Sequence, residues 1–286
     1  MNRKPVIGLV MKSLQADFFQ NMKMGALEFA QKRTDFELIT VGTDNQTDID
    51  KQIALIESFI QQKVDALVVI PIDSKALVPV VVKAVKAGIK LVNIDIKLDP
   101  DLLQEYGVDF AYVGPDNENA AKLVGDVLSK KLGKGANVII IEGLQVAENA
   151  IQRKNGFLKS ISEYGLNLLA CGVGDWETHK AETVFASLYQ KFGNIDGVLC
   201  CNDAMALGVL KVLEEDGKIG KIQVVGFDND DSVQPDLENG KLLATIDAHG
   251  SQMAVQGIEF VLNVINGAEN RGVHSTKFDL ILSKTL

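Results

Sequence analysis

The fold is decided by a repeating pattern whose first copy reads VIGLVMKSLQADFFQNMKMGALEFAQK, residues 6–32. Val6–Met11 is a continuous apolar run, which is typical of a strand buried on both faces of a parallel sheet. Phe18–Lys32 then repeats apolar residues at helical spacing. This stretch therefore predicts a buried strand followed by an amphipathic helix.

The same alternation continues to the end of the chain. The further apolar runs are Phe36–Val41, Ala66–Ile70, Lys90–Ile94, Asn137–Ile141, Leu168–Cys171, Gly197–Cys201, Gln223–Phe227, Leu242–Ile246 and Phe278–Leu282. The helical patterns between them are Thr47–Gln62, Lys75–Ala87, Glu118–Lys131, Asn149–Glu163, Lys180–Phe192, Ala204–Glu215 and Ser251–Ile265. Several of these patterns stop at a glycine, as helix C-caps do: Gly88, Gly133, Gly165, Gly193 and Gly217. Repeated β-α units predict a doubly wound α/β fold, and so many strands divide more naturally between two sheets than within one.

Composition excludes several classes of partner and chemistry. The net charge of −9 disfavours nucleic acid and anionic membrane surfaces, and no apolar run approaches the roughly 20 residues that cross a bilayer. Cys171, Cys200 and Cys201 lack metal-binding spacing and are expected to be small buried residues. The sequence contains no catalytic motif, and its three histidines are far apart. We therefore expect no catalytic residue, no metal and no cofactor.

Ligands of open α/β sheets bind beyond the carboxyl ends of the strands, so the residues that follow the apolar runs are candidates. Polar side chains recur there at Asp95, Asn202, Asp228 and Asp247. For the first three, ligand contact and turn chemistry are equally compatible with the spacing, whereas Asp203 is expected to cap the helix after it. Phe18 and Phe19 fit the core or a ligand platform. Trp176 lies in a polar stretch, which is not a core context, so a ligand-platform role is as compatible with the sequence as any other.

Several motifs in a fixed order carry a family resemblance. They are Asp17-Phe18-Phe19, Arg153-Lys154-Asn155-Gly156-Phe157, Asn202–Gly208, Val224–Asp228 and Gly240–Ile246. With them the chain resembles the periplasmic sugar-binding proteins of ABC importers, close to the ribose binders of the type I class. The resemblance implies two Rossmann-like domains, residues 1–114 with 249–276 and residues 115–248 with 277–286. It also implies a three-segment hinge between them and a ligand held in the interdomain cleft.

The resemblance also implies the contacts to that ligand. Phe18, Phe19 and Trp176 would stack on its faces, and Asp95, Arg153, Asn202 and Asp228 would bond its hydroxyls. Four positions depart from the family pattern by replacing polar residues: Ala16, Ile70, Ile96 and Ala248. Because unpaired hydroxyls are costly in a dry site, we expect a ligand other than ribose. Compensating contacts are expected from Lys12, Lys97, Asp247 and His249.

The leading functional hypothesis is therefore a solute-binding protein. It would capture a small neutral monosaccharide or polyol, leave it unchanged and deliver it to the permease of an ABC importer. Such a protein is expected to be a monomer, periplasmic or lipid-anchored outside the cell, with its signal peptide absent from this chain. One alternative is the ligand-sensing domain of a lactose-repressor-type regulator without its DNA-binding head. The other is an enzyme of the doubly wound class.

Overall fold

The computed structural model describes residues 3–285, which form two compact α/β units. The first unit comprises residues 3–115, 146–148 and 249–276. The second comprises residues 116–145, 149–248 and 277–285. Residues 1, 2 and 286, which the expected domain boundaries include, lie outside the described residues.

Two short segments that the sequence assigned to the second unit belong to the first. They are Pro115 and residues 146–148. The backbone N–H of Ser74 donates to the carbonyl oxygen of Val146 at 3.0 Å, and the backbone N–H of Glu148 donates to Ser74 Oγ at 2.9 Å. These bonds attach the segment to a loop of the first unit, and no local sequence pattern indicates such a contact.

Strands and helices alternate through both units. The strands are β1 Val6–Ser13, β2 Glu37–Thr43, β3 Ala66–Val69, β4 Lys90–Ile94, β5 Tyr112–Gly114, β6 Asn137–Glu142, β7 Asn167–Val173, β8 Gly197–Cys200, β9 Gln223–Val225, β10 Ala244–Asp247, β11 Val273–Ser275 and β12 Asp279–Leu282. The helices are α1 Asp17–Gln31, α2 Ile49–Gln62, α3 Val78–Lys86, α4 Pro100–Glu105, α5 Asn117–Leu132, α6 Glu148–Tyr164, α7 Thr178–Phe192, α8 Asp203–Glu215, α9 Gln234–Glu238 and α10 Gly250–Ile265. No helix within residues 3–285 has the length and apolar character needed to span a membrane.

The sheet of the first unit is wholly parallel, in the order β11-β5-β4-β3-β1-β2. The strand order changes direction at β1, where one connection leads to β2 and the next returns to β3. Because such connections are right-handed, this reversal puts helices on both faces of the sheet. Accordingly α1 packs on α10, and α2 packs on α3. The carboxyl ends of β1 and β3 lie side by side at this reversal.

The sheet of the second unit has the corresponding order, β12-β10-β9-β8-β6-β7. Its strands are parallel except β12, which runs antiparallel to β10. The direction of this edge strand is the one departure from the predicted parallel sheets. The chain enters β12 from residues 277–278 without a crossover helix. Only a parallel connection needs such a crossover, so the antiparallel direction fits this short approach.

The predicted elements are otherwise confirmed to within a few residues, and β4 has the predicted bounds. All five glycines expected at helix C-caps have positive φ, from 63° at Gly217 to 88° at Gly88. The elements that the sequence pattern missed are short. They are β5, β11, α4 and α9, none longer than six residues, too few for a periodic pattern to be recognised.

Candidate functional site

In the first unit, the candidate residues gather at the carboxyl edge of the sheet. Lys12 lies near the end of β1, Phe18 and Phe19 in the first turn of α1, Ile70 directly after β3, and Asp95 and Ile96 directly after β4. All six are buried. The structure therefore brings these six candidate residues to one edge of the sheet.

The two phenylalanines form a preorganised aromatic corner. Their ring centroids lie 5.2 Å apart at an interplanar angle of 87°, the edge-to-face arrangement that aromatic pairs prefer. A Cβ at Gly250 would come within 2.9 Å of the Phe18 ring, so the start of α10 is shaped to this ring. The ammonium of Lys12 lies 5.8 Å from the Phe19 ring centroid. Just before Gly250, His249 adopts left-handed backbone geometry with φ of 53°.

Gln52 fixes the two strand ends where the order of the sheet reverses. Its Nε2 donates to the carbonyl oxygens of Met11 at 3.1 Å and Ile70 at 2.8 Å, and its Oε1 accepts from the N–H of Ile72 at 2.8 Å. The side chain lies on α2 and is wholly buried. One amide thus joins the end of β1 to the loop after β3.

Asn93 has the same role for the loop that follows β4. Its Nδ2 donates to the carbonyl oxygens of Val69 at 3.1 Å and Ile96 at 2.8 Å, while its Oδ1 accepts from the N–H of Leu98 at 2.8 Å. These bonds hold Asp95 in left-handed geometry with φ of 63°. The hydroxyl of Tyr112 adds a 2.8 Å bond to the carbonyl oxygen of Asp95. The backbone that presents the Asp95 carboxylate is therefore fixed from both sides.

In the second unit, Arg153 is the centre of a buried polar network. Its Nη1 donates to the carbonyl oxygen of Cys201 at 2.9 Å and to Asp228 Oδ1 at 3.0 Å, and its Nε donates to Asn117 Oδ1 at 3.0 Å. The guanidinium carbon lies 3.6 Å from the centre of the Phe227 ring. A buried cation with this many partners has a fixed orientation, which suits it to directional hydrogen bonding.

Asp228 lies on a strained loop after β9. Its φ is 111°, that of the following Asn229 is 56°, and neither is glycine. The amide of Asn229 donates to Asp247 Oδ2 at 3.3 Å, which links the ends of β9 and β10. Ala248, the next residue along the chain, is buried. The predicted residues Arg153, Asp228, Asp247 and Ala248 therefore occupy the carboxyl edge of the second sheet.

Asn202 caps the helix that follows β8, the role that was expected of Asp203. Asn202 is the N-cap of α8, because its Oδ1 accepts from the N–H of Met205 at 2.9 Å. Its Nδ2 lies 3.5 Å from the carbonyl oxygen of Trp176. The expectation that Asp203 caps this helix is wrong. Asp203 lies in the first helical turn and directs its carboxyl group to Thr245 and the N–H of Asp230.

Trp176 is buried despite its polar sequence neighbours, with only 5% of its surface exposed. The ring lies against the backbone of Gly143, where a Cβ would come within 2.2 Å of it. The guanidinium carbon of Arg153 lies 5.5 Å from the ring. The polar context of the sequence was therefore misleading, because the space for the ring is provided by a glycine 33 residues away.

The described residues contain no group of three or more His, Cys, Asp or Glu side chains arranged to hold a metal ion. The three cysteines are free. Burial raises the pKa of Cys171 to about 11 and that of Cys201 to about 12, and burial also raises the pKa of Cys200 well above its usual value. These thiols are therefore protonated at neutral pH, which makes them poor nucleophiles.

Comparison with known proteins gives the family. A family model described as a periplasmic binding protein domain matches residues 7–269. The chain belongs to this family. The fold class and the resemblance predicted from the sequence are thereby confirmed.

Several proteins similar to this periplasmic binding protein are named for a carbohydrate or are described with a carbohydrate ligand. A D-ribose/D-allose-binding protein of Pseudomonas aeruginosa is 41% identical over 283 residues, which cover 97% of this chain and 89% of that protein. An ABC transporter solute-binding protein from Burkholderia multivorans, with an unknown ligand represented as α-D-erythrofuranose, is 42% identical. Its TM-score is 0.95, and the match covers 98% of this chain and 100% of that chain. A solute-binding protein from Actinobacillus succinogenes with bound D-allose is 34% identical, with a TM-score of 0.92 and 99% of both chains covered.

Some residues that build these edges were absent from the sequence-based candidates, namely Gln52, Asn93, Asn117 and Thr245, and Asp203 was expected only as a helix cap. The sequence contained a signal for Gln52 and Asn93. Asn93 interrupts an otherwise apolar strand, and Gln52 lies on the buried face of α2 among apolar side chains. A polar residue in such a place needs buried partners, which are most available where strands end.

The ionisation of Asp203 gives a testable pH dependence. Burial, followed by the nearby Asp228 carboxylate, raises the pKa of Asp203 to about 8 in the folded protein. A carboxyl group whose pKa is raised by folding stabilises the fold fully below its ordinary pKa, and this contribution is lost as the pH rises through the folded pKa. We expect the unfolding free energy of the wild type to fall relative to that of Asp203→Asn between about pH 4 and 8, with a limiting slope of about 1.4 kcal/mol per pH unit. Urea denaturation of both proteins across this range measures the difference, and a difference independent of pH would contradict the expectation.

Proposed function

We propose that this protein captures a small neutral carbohydrate, a monosaccharide or polyol, and delivers it unchanged to an ABC importer. The observation that carries the proposal is the chemistry of the two carboxyl edges. Each combines aromatic rings with buried, oriented polar side chains, of which the Arg153–Asp228 pair on Phe227 is the clearest case.

This combination matches the surface of a sugar. A pyranose or furanose ring exposes C–H groups on its faces and hydroxyls around its rim. Aromatic rings such as Phe18 and Phe19 pack against the faces. Carboxylates accept hydrogen bonds from hydroxyls, and a guanidinium donates two in a fixed fork, so Asp95, Asp228 and Arg153 suit the rim.

A binding role without catalysis agrees with the family and with the chemistry of the edges. The family consists of solute-binding proteins, and the relatives described above carry transport or sugar-binding names. The cysteine thiols are held protonated, so the obvious candidates for a nucleophile are inactive. A periplasmic or lipid-anchored location, the permease as partner and a monomeric state follow from this role and are part of the proposal.

The identity of the sugar is proposed from four positions. Ile70 and Ile96 are wholly buried, Ala248 is nearly so, and Ala16 precedes the aromatic corner. Alanine and isoleucine side chains form no hydrogen bonds with hydroxyls, so a ligand whose hydroxyls face them is disfavoured. We therefore propose a deoxy sugar, a short polyol or a hexose held through other contacts in preference to D-ribose.

A thermal-shift panel of D-ribose, D-allose, other hexoses, deoxy sugars and short polyols tests both the function and the preference. Binding to the folded state raises the melting temperature, and we expect the largest shift from a compound other than D-ribose. The expected difference in affinity is about tenfold for each unpaired hydroxyl. If no neutral sugar or polyol raises the melting temperature, the proposed function is wrong. If D-ribose gives the largest shift, the proposed roles of the four apolar positions are wrong.

Alanine substitutions identify the residues that hold the ligand. Arg153→Ala, Asp95→Ala and Asp228→Ala should each weaken binding by about 2–4 kcal/mol, because each removes charge-assisted hydrogen bonds and leaves buried partners unsatisfied. Isothermal titration calorimetry of the folded variants measures this loss. Arg33→Ala is the control, since Arg33 pairs with Asp35 in an exposed ion pair on the first unit and should bind sugar as the wild type does. Wild-type affinity in two of the three edge variants would remove these residues from the site.

A further inference from the structure

Asp203 is wholly buried, and its carboxyl group joins three segments of the second unit. The hydroxyl of Thr245 on β10 lies 2.8 Å from Oδ1 and 3.0 Å from Oδ2. The backbone N–H of Asp230, in the loop after β9, donates to Oδ2 at 3.0 Å. The residue itself begins α8. One carboxyl group therefore connects the start of a helix, a strand and the loop that carries Asp228.

The residue directly after β9, Gly226, leaves the space that this carboxyl group occupies. A Cβ at Gly226 would lie 1.9 Å from Asp203 Oδ1, a distance no pair of nonbonded atoms tolerates. Glycine is therefore required at position 226 by the position of the Asp203 side chain. The φ of Gly226 is not in the left-handed region, so the requirement comes from space and not from backbone conformation.

The loop that the carboxyl group holds is strained. Asp228 and Asn229 both have positive φ, a conformation that is unfavourable for non-glycine residues and persists only where the surroundings impose it. Two bonds from beneath the loop restrain it, besides a 2.7 Å bond from the N–H of Asp228 to the carbonyl oxygen of Ile246. One is the Asp203–Asp230 contact, and the other is a 3.4 Å contact from the N–H of Asn229 to Thr245 Oγ1. The result is that Asp228 Oδ1 lies 3.0 Å from Arg153 Nη1.

We propose that Asp203 is a positioning residue for sugar binding, which acts through Thr245 and the loop of residues 226–230 to set the Asp228 carboxylate against Arg153. The proposal rests on the proposed function, because it assigns Asp228 and Arg153 to the ligand. It adds to that function a residue beneath the loop, outside the set of side chains proposed to contact sugar.

The test separates positioning from ordinary structural support by measuring affinity in folded protein. With D-allose as the first probe and D-ribose as the second, calorimetry should show that Asp203→Ala weakens binding about tenfold or more, because the strained loop relaxes. Asp203→Asn should stay within about threefold of the wild type, because its amide keeps an oxygen for the N–H of Asp230. The control is Asp196→Ala. Asp196 accepts a 2.7 Å bond from the N–H of Asn137 at the opposite end of the same sheet, so its loss should lower stability and leave affinity unchanged. Wild-type affinity in Asp203→Ala, or equal losses in the alanine and asparagine variants, overturns the proposal.

A second pair of variants keeps the test decisive if Asp203→Ala does not fold. Thr245→Val removes the hydroxyl that bonds Asp203, and Thr245→Ser keeps it, so the valine variant should bind more weakly and the serine variant should not. Equal affinities overturn the proposal. If the wild type binds neither probe, crystal structures of the wild type and of Thr245→Val test the positioning role without any sugar. In Thr245→Val the Asp228 carboxylate should move away from Arg153, and an unchanged 3.0 Å contact contradicts the positioning role.

Discussion

Parallel strands end at a common edge of a sheet, and the backbone groups that leave each strand there lose their partners in the ladder. A buried N–H or carbonyl without a partner is costly, so these groups must find partners in side chains. Gln52 and Asn93 supply them in the first unit, and Asp203 does so in the second. The hydrogen bonds that satisfy these backbone groups also fix the loops from which Asp95 and Asp228 project. The proposed recognition surface of each unit is thus a consequence of how its strands end.

Arg153 shows what such fixed loops make available. A buried guanidinium is tolerated only when its charge and its N–H groups are paired. Here the pairing comes from Asp228, a carbonyl oxygen and Asn117, with the Phe227 ring beneath the guanidinium. This arrangement resists rotation of the side chain, so little conformational entropy remains to be lost when a ligand binds. Preorganised polar groups on an aromatic base suit a neutral ligand that presents many hydroxyls and little charge.

The sequence predicted the architecture well because its signals are local. Apolar runs of strand length, helical patterns between them and glycines after helices are all read within a few residues, and β4 was placed with its observed bounds. The edge residues followed from the rule that ligands bind beyond strand ends. What could not be predicted depends on contacts distant in sequence. Gln52 bonds backbone groups 41 and 18 residues away, and the ring of Trp176 fills space over Gly143. Asp203, which was expected to cap α8, instead bonds Thr245, a residue 42 positions away in the sequence.

We propose that these edges bind a neutral sugar reversibly and leave its covalent structure intact. The most direct measurement is native mass spectrometry of the protein incubated with a binding sugar, followed by NMR of the sugar recovered after denaturation. We expect a complex heavier by one sugar and a recovered compound identical to the one added, even after prolonged incubation. A recovered product of different structure, accumulating with time and absent without the protein, would contradict it.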